Sequence, residues 1–208
     1  MDIDVGELYG TGARQLQDTF DSRRLADRLT EIIINDFIDE RTRASFEAAS
    51  YFFLATVDPD GFPDVSYKGG RPGFVQVIDD NTLRFPSYDG NGMYRSLGNI
   101  VDTPNIGMLF IGQDDHPFRI RVHGRARVLT DEAAVDAFVG AEAVVEVSVG
   151  RTFINCPRYV HDISSGELSP NAPAPDYEPP QPDWKQWDLF ADVLPGTSPA
   201  GDGNGEDQ

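Results

Sequence analysis

The 208-residue sequence has one cysteine, Cys156, so it can form no intrachain disulfide and no multi-cysteine zinc or iron–sulfur site. Its three histidines, His116, His123 and His161, fall at no ligand spacing, which argues against a metal centre. No apolar run approaches the roughly 18 residues that a membrane span needs. The opening Met1-Asp2-Ile3-Asp4-Val5 is acidic and lacks the basic and apolar regions of a secretory leader, so a soluble, cytoplasmic protein is expected. Lysine is nearly missing: Lys68 and Lys185 stand against 15 arginines. Acids outnumber bases 35 to 17, giving a net charge of −18. Such a body repels phosphate backbones and anionic lipid, so neither nucleic acid nor a membrane is an expected partner. No Walker loop, HExxH, GxSxG, Ser-His-Asp order or pair of glycosidase carboxylates is present.

What is present divides into three parts. Residues 1–49 read as a helical extension. Leu16 and Phe20 lie four apart, and Leu25, Leu29, Ile33 and Phe37 continue an apolar stripe, with Asp21 or Ser22 as candidate cap. Residues 50–162 read mostly as short strands. Tyr51–Val57 is aromatic and β-branched, Asp58-Pro59-Asp60-Gly61 is a turn, and further strands fall near 62–68, 74–78, 82–86, 105–111, 118–129 and 143–154. Short helices are expected at 93–101 and at 131–139, the latter capped by Thr130. Many short strands with turns between them favour a closed antiparallel barrel. Residues 163–208 hold eight of the 15 prolines and nine acids against one lysine. Disorder is expected from residue 195. Within this acidic tail Trp184, Trp187, Leu189 and Phe190 form an apolar island, which either packs on the chain's own body or reaches over a partner or a ligand cleft.

Four groups of residues carry chemical potential. The strand Arg119-Ile120-Arg121-Val122-His123-Gly124-Arg125-Ala126-Arg127 alternates strictly, so period two puts four arginines and His123 on one face. Either nearby carboxylates compensate them, or a phosphate or carboxylate ligand does. Lys68 precedes Gly69-Gly70, where an ammonium and backbone amides can converge on an anion. The run Ser87-Tyr88-Asp89-Gly90-Asn91-Gly92-Met93-Tyr94-Arg95-Ser96 opens a helix, whose start offers free amides to an anion. Cys156 has Arg158 near it but no placed histidine, so it reads as structural.

Taken in order, these segments resemble the FMN-binding split-barrel superfamily of pyridoxamine 5'-phosphate oxidase-like proteins. The resemblance rests on Phe53–Pro63, Val65-Ser66-Tyr67-Lys68-Gly69-Gly70, Phe85–Gly92, Arg95–Ile100 and Arg119–Gly124, with Asn155-Cys156-Pro157-Arg158-Tyr159 similar to a C-terminal motif of one branch. It covers about residues 45–162. It implies a six-stranded antiparallel Greek-key split barrel with flanking helices, forming a homodimer with the cofactor at the interface. Ser66, Tyr67 and Lys68 would run along the flavin, with Phe85, Pro86 and Ser87 continuing that wall. Arg95 and Ser96 fall where the family places an Arg-Lys pair on the FMN phosphate, and Asn91 would assist. Arg119, with Arg121 beside it, falls where the oxidase has a flavin-contacting glutamine. Ser96 departs from the family lysine, and the oxidase's C-terminal substrate motif is missing, which points away from pyridoxamine phosphate as substrate. The implied function is an FMN-dependent oxidoreductase acting on a small molecule. A deazaflavin-dependent reductase, or a non-enzymatic flavin or haem carrier, is the alternative on the same fold. Tyr67, Tyr88 and His123 are the candidate proton donors.

Overall fold

The computed structural model describes residues 5–112, 118–162, 165–172, 175, 177 and 180–197. The chain separates into two compact units: Ile34–Pro157, and Gly6–Ile33 together with the described part of Arg158–Gln208. His116, one of the histidines considered above, lies outside the described residues, as does the stretch expected to be disordered from residue 195 apart from residues 195–197, where the Thr197 amide donates to the Leu194 carbonyl.

In the first unit, strand residues alternate in the way period two demands. In β2 (Tyr51–Val57), Phe52, Leu54 and Thr56 are buried, while Tyr51, Phe53 and Ala55 face the other way. The remaining strands are β1 (Ile34–Asn35), β3 (Pro63–Gly69), β4 (Gln76–Asp79), β5 (Thr82–Tyr88), β6 (Asn105–Gly112), β7 (Phe118–Leu129) and β8 (Ala141–Asn155). All pairings are antiparallel, along the path β3-β2-β6-β7-β8-β5-β4. The sheet curls back on itself. Phe52 on β2 and Phe85 on β5 are four strand steps apart, about 19 Å in a flat sheet, yet their ring centroids lie 4.9 Å apart. The end strands β3 and β4 are not hydrogen-bonded to each other, and this is the split in the barrel.

Eight strands replace the six implied by resemblance. The 15-residue β8 outruns β5, which pairs only with its residues 141–148. Its free edge at Thr152 and Phe153 then pairs with β1. β4 is a four-residue hairpin partner of β5. Phe46, Phe52, Leu54, Leu83, Phe85, Phe110 and Val122 fill one core, with Phe46 and Phe110 rings 4.3 Å apart.

The helices also differ in detail from the sequence reading. The N-terminal region holds α1 (Thr11–Thr19), α2 (Arg23–Ile33) and α3 (Glu40–Ala48), with β1 interrupting the run, so Phe37 does not continue the α2 stripe. Asp39 caps α3 by accepting from the Thr42 amide at 2.7 Å. α4 spans Arg95–Asp102. α5 spans only Glu132–Val135 and is capped by Asp131, not Thr130, since the Asp131 carboxylate reaches the Ala134 amide at 3.1 Å.

In the second unit, Leu25 and Leu29 of α2 pack with Trp184, Phe190, Val193 and Leu194. The aromatic residues sit in two short 3₁₀ turns, Asp183–Gln186 and Asp188–Phe190. Arg24 donates to the Asp192 and Thr197 carbonyls, and Arg28 to the Leu189 carbonyl. Trp184 and Phe190 of the tail's apolar island therefore pack on the chain's own α2, while Trp187 and Leu189 stay exposed. Asp21 does not cap α2 with its carboxylate, which accepts from the Gly196 amide at 2.7 Å.

Candidate functional site

The hairpin β2–β3 turns at Asp58–Phe62. The Asp58 carboxylate accepts from the Asp60 and Phe62 amides, an Asx-turn that sets the register of β3. That register pairs Leu54 with Ser66 and Phe52 with Lys68, so Ser66 and Lys68 share a face. They line a cavity of about 470 Å³ together with Ser87 and Tyr88 at the end of β5, Asn91 and Tyr94 in the following loop, and Arg95 and Ser96 in the first turn of α4. Residues 30 apart in sequence meet here: Ser66 Oγ and Ser96 Oγ are 2.9 Å apart.

The cavity gathers cations and hydroxyls, with one carboxylate, Asp64, also in its wall. Lys68 makes no ion pair among the described residues. Burial pulls its ammonium below the ordinary lysine pKa, offset in part by Asp64. A partly buried cation with no carboxylate in direct contact is a ready site for an anion. Arg95 reaches Asp58 at 3.7 Å, a long contact on a half-exposed side chain that tethers the guanidinium and leaves donors free. Asn91 Oδ1 accepts from the Met93 amide at 3.0 Å and shapes the loop. Tyr94 holds a left-handed backbone at φ 47° at the start of α4, and no side chain caps that helix end. The Tyr94 hydroxyl donates to Glu142 at 3.0 Å, and that bond, with the carboxylate's charge, raises the Tyr94 pKa.

Ser66, Lys68, Ser87, Asn91, Arg95 and Ser96 thus come together, with Tyr88, a candidate proton donor, beside them. The other sequence candidates do not join them within one chain. Tyr67 points to the opposite face of β3 and stacks on Tyr51, with ring centroids 5.5 Å apart. Phe85 lies in the core against Phe52, and Pro86 is buried opposite Val144. Arg119, Arg121 and His123 lie on the outer face of β7, in rows with Ile111, Leu109 and Gly107 of β6 and Asn155, Phe153 and Arg151 of β8. Arg121 donates to the Asn155 side-chain oxygen at 2.6 Å and lies over the Phe153 ring. Burial, then the charge of Arg119, lowers the Arg121 pKa. Burial, then Arg151 and Arg121, lowers that of His123. Part of the arginine face is compensated from within: Glu146 accepts from Arg127 at 2.7 Å and from Arg84 at 2.8 Å and 2.6 Å. The compensating acid is thus a glutamate on the neighbouring strand.

Sequence reasoning missed Asp58 as the partner of Arg95 and Glu142 as the anchor of Tyr94. No local spacing links either pair, which lie 37 and 48 residues apart. It also missed two polar atoms on the outer face, Tyr51 Oη and Arg119 Nε, which are buried without a hydrogen-bond partner. Among the described residues no cluster of His, Cys, Asp and Glu could hold a metal ion, and no helix is long and apolar enough to cross a membrane.

Residues 38–155, more than half of the chain, match the model of the pyridoxamine 5'-phosphate oxidase family. Several solved structures are similar. HupZ of Group A Streptococcus is 22% identical, covering 62% of this chain and 98% of its own, with a TM-score of 0.45. An FMN-binding protein of Syntrophomonas wolfei is 11% identical, covering 70% and 95%, with a TM-score of 0.42. General Stress Protein 26 of Bacillus anthracis is 14% identical, covering 63% and 93%, with a TM-score of 0.40. No curated protein sequence matches the chain.

Proposed function

The chain belongs to the pyridoxamine 5'-phosphate oxidase family, and from that premise we propose that it is an FMN-dependent oxidoreductase acting on a small molecule as a homodimer. The observation that carries this reading is the cavity in which Lys68, Arg95, Ser66, Ser87, Asn91 and Ser96 converge. Two cations with three hydroxyls and an amide suit a phosphomonoester joined to a polyol chain. The guanidinium and ammonium offset the charge, and the hydroxyls exchange hydrogen bonds with the rest. Ser96 stands where a second phosphate cation was expected, and Lys68 supplies that charge from β3. When bound, a flavin supplies hydride transfer between a donor and an acceptor. The protein's part is to hold the phosphate with Arg95 and Lys68, to fix α4 through Tyr94 and Glu142, and to present the Tyr88 hydroxyl at the cavity wall.

The homodimer is supported by the outer sheet face. Val65, Tyr67, Phe53 and Leu109 lie beside Arg119 and Arg121 there, and Tyr67 and Val65 are well exposed. The Ser66–Lys68 cavity and the Arg119–Arg121 row lie on opposite faces of the sheet. A second copy is the means by which both could meet one cofactor.

The test is the visible spectrum of the purified protein with and without FMN, followed by affinities for FMN and riboflavin. Arg95→Ala is expected to weaken FMN about tenfold or more and riboflavin little, because a charge-assisted phosphate contact is lost. Equal weakening of both removes Arg95 from the phosphate. A protein that ignores FMN but takes up a deazaflavin or haem overturns the FMN reading.

A further inference from the structure

A second cavity, of about 500 Å³, lies beside the first, beyond Tyr88, and Tyr88 lines both. Its wall is built from the turn after β3, the start of β4 and the segment after α5. The volume falls within the roughly 300–1,000 Å³ of small-molecule sites. Phe74 and Phe138, both buried, give it an apolar aromatic floor. Three residues with polar head groups also line it: Arg71, Gln76 and Tyr88. None of the three makes a side-chain hydrogen bond or ion pair among the described residues. Val139, 99% exposed, stands at the rim as an apolar side chain with nothing against it.

We propose that this second cavity is the substrate chamber and that it takes a small aromatic carboxylate. Phe74 and Phe138 receive the ring, since aromatic side chains gain most from a flat apolar partner. Arg71 receives the carboxylate through its fork of N–H donors. A cation is needed at this place, because a body of net charge −18 otherwise repels an anionic ligand. Gln76 and Tyr88 meet a polar ring substituent, each able to donate and to accept. Tyr88 lines both cavities, so the ligand lies next to the site assigned to the cofactor. Naming the ligand a substrate rests on the flavin reading; its binding in this chamber does not.

The test uses benzoate as the probe, titrated calorimetrically into the full-length protein as purified and again after addition of FMN. Benzyl alcohol, with the same ring and no carboxylate, is the control. Arg71→Ala is expected to weaken benzoate about tenfold and benzyl alcohol little. Val139→Asp, which sets a like charge at the mouth, is expected to weaken benzoate to a similar degree. Both residues are exposed, and neither variant is expected to change FMN affinity more than about twofold. If benzoate fails to bind, or binds both variants as it binds the parent, the proposal is overturned. If FMN fails to bind while benzoate binds in an Arg71-dependent way, the flavin reading falls and the chamber stands.

Discussion

At the scale of single residues, chemistry depends on which charges are left without a partner. Glu146 is the opposite case to Lys68. It is nearly buried, and burial alone would raise its pKa. The hydrogen bonds from Arg84 and Arg127 and their charges reverse that, so its pKa lies below the ordinary 4.5. A depressed carboxylate contributes stability above its unfolded pKa and loses it as pH falls through the folded value. Glu146→Gln is therefore expected to cost about 1–3 kcal/mol at neutral pH, because two guanidinium groups lose their charged acceptor. The gap between variant and parent should close in acid, below the ordinary carboxylate range. Urea denaturation at several pH values checks it, and a pH-independent gap would assign the effect to packing alone. The same reasoning separates Arg127 from Arg119 and Arg121. The alternating pattern put all of them on one face, and only the β8 partner of each tells whether a carboxylate or a neutral group lies opposite.

At the scale of elements, the long pair β7–β8 organises the barrel. Its register shifts between His123 and Gly124, and the two strands approach closely there. A Cβ on Gly124 would sit 2.4 Å from the Ser148 carbonyl oxygen, a backbone atom that cannot step aside cheaply. Gly124→Ala is expected to destabilise the protein by about 1–3 kcal/mol, as overpacking does, or to move the register. Thermal or chemical unfolding measures the first, and amide exchange along β7 and β8 detects the second. This glycine was legible only as one of the small residues on the buried face. That its neighbour is a carbonyl depends on the strand across from it. Helix α4 shows the same division. The sequence predicts a short helix at 93–101, and it is found at Arg95–Asp102; its later start, at a left-handed Tyr94, is held by Glu142 from the beginning of β8.

At the scale of the whole molecule, the two units have separate cores, one on Phe52, Phe85 and Phe110 and one on Leu25, Phe190 and Val193. Removing residues 183–208 strips Trp184, Phe190, Val193 and Leu194 from α2. Hydrogen exchange is then expected to show protection lost in α1 and α2 and kept in β7 and β8. Equal loss in both would show that the barrel core depends on the tail. The sequence by itself determined that the β7 arginines share a face and where the Asp58–Gly61 turn falls, because period two and turn chemistry act over neighbours, whereas the separation of Tyr67 from Ser66 and Lys68 came from the structure. The sequence also determined the family, through the order of its segments. Only the tertiary structure decided that the sheet closes far enough to set Ser87 and Arg95 beside Ser66. It alone decided that Trp184 and Phe190 of the tail lie on α2, and that Tyr88 lines two cavities. Those contacts join residues tens of positions apart. They depend on strand register, barrel closure and the direction of loops, which no local spacing encodes.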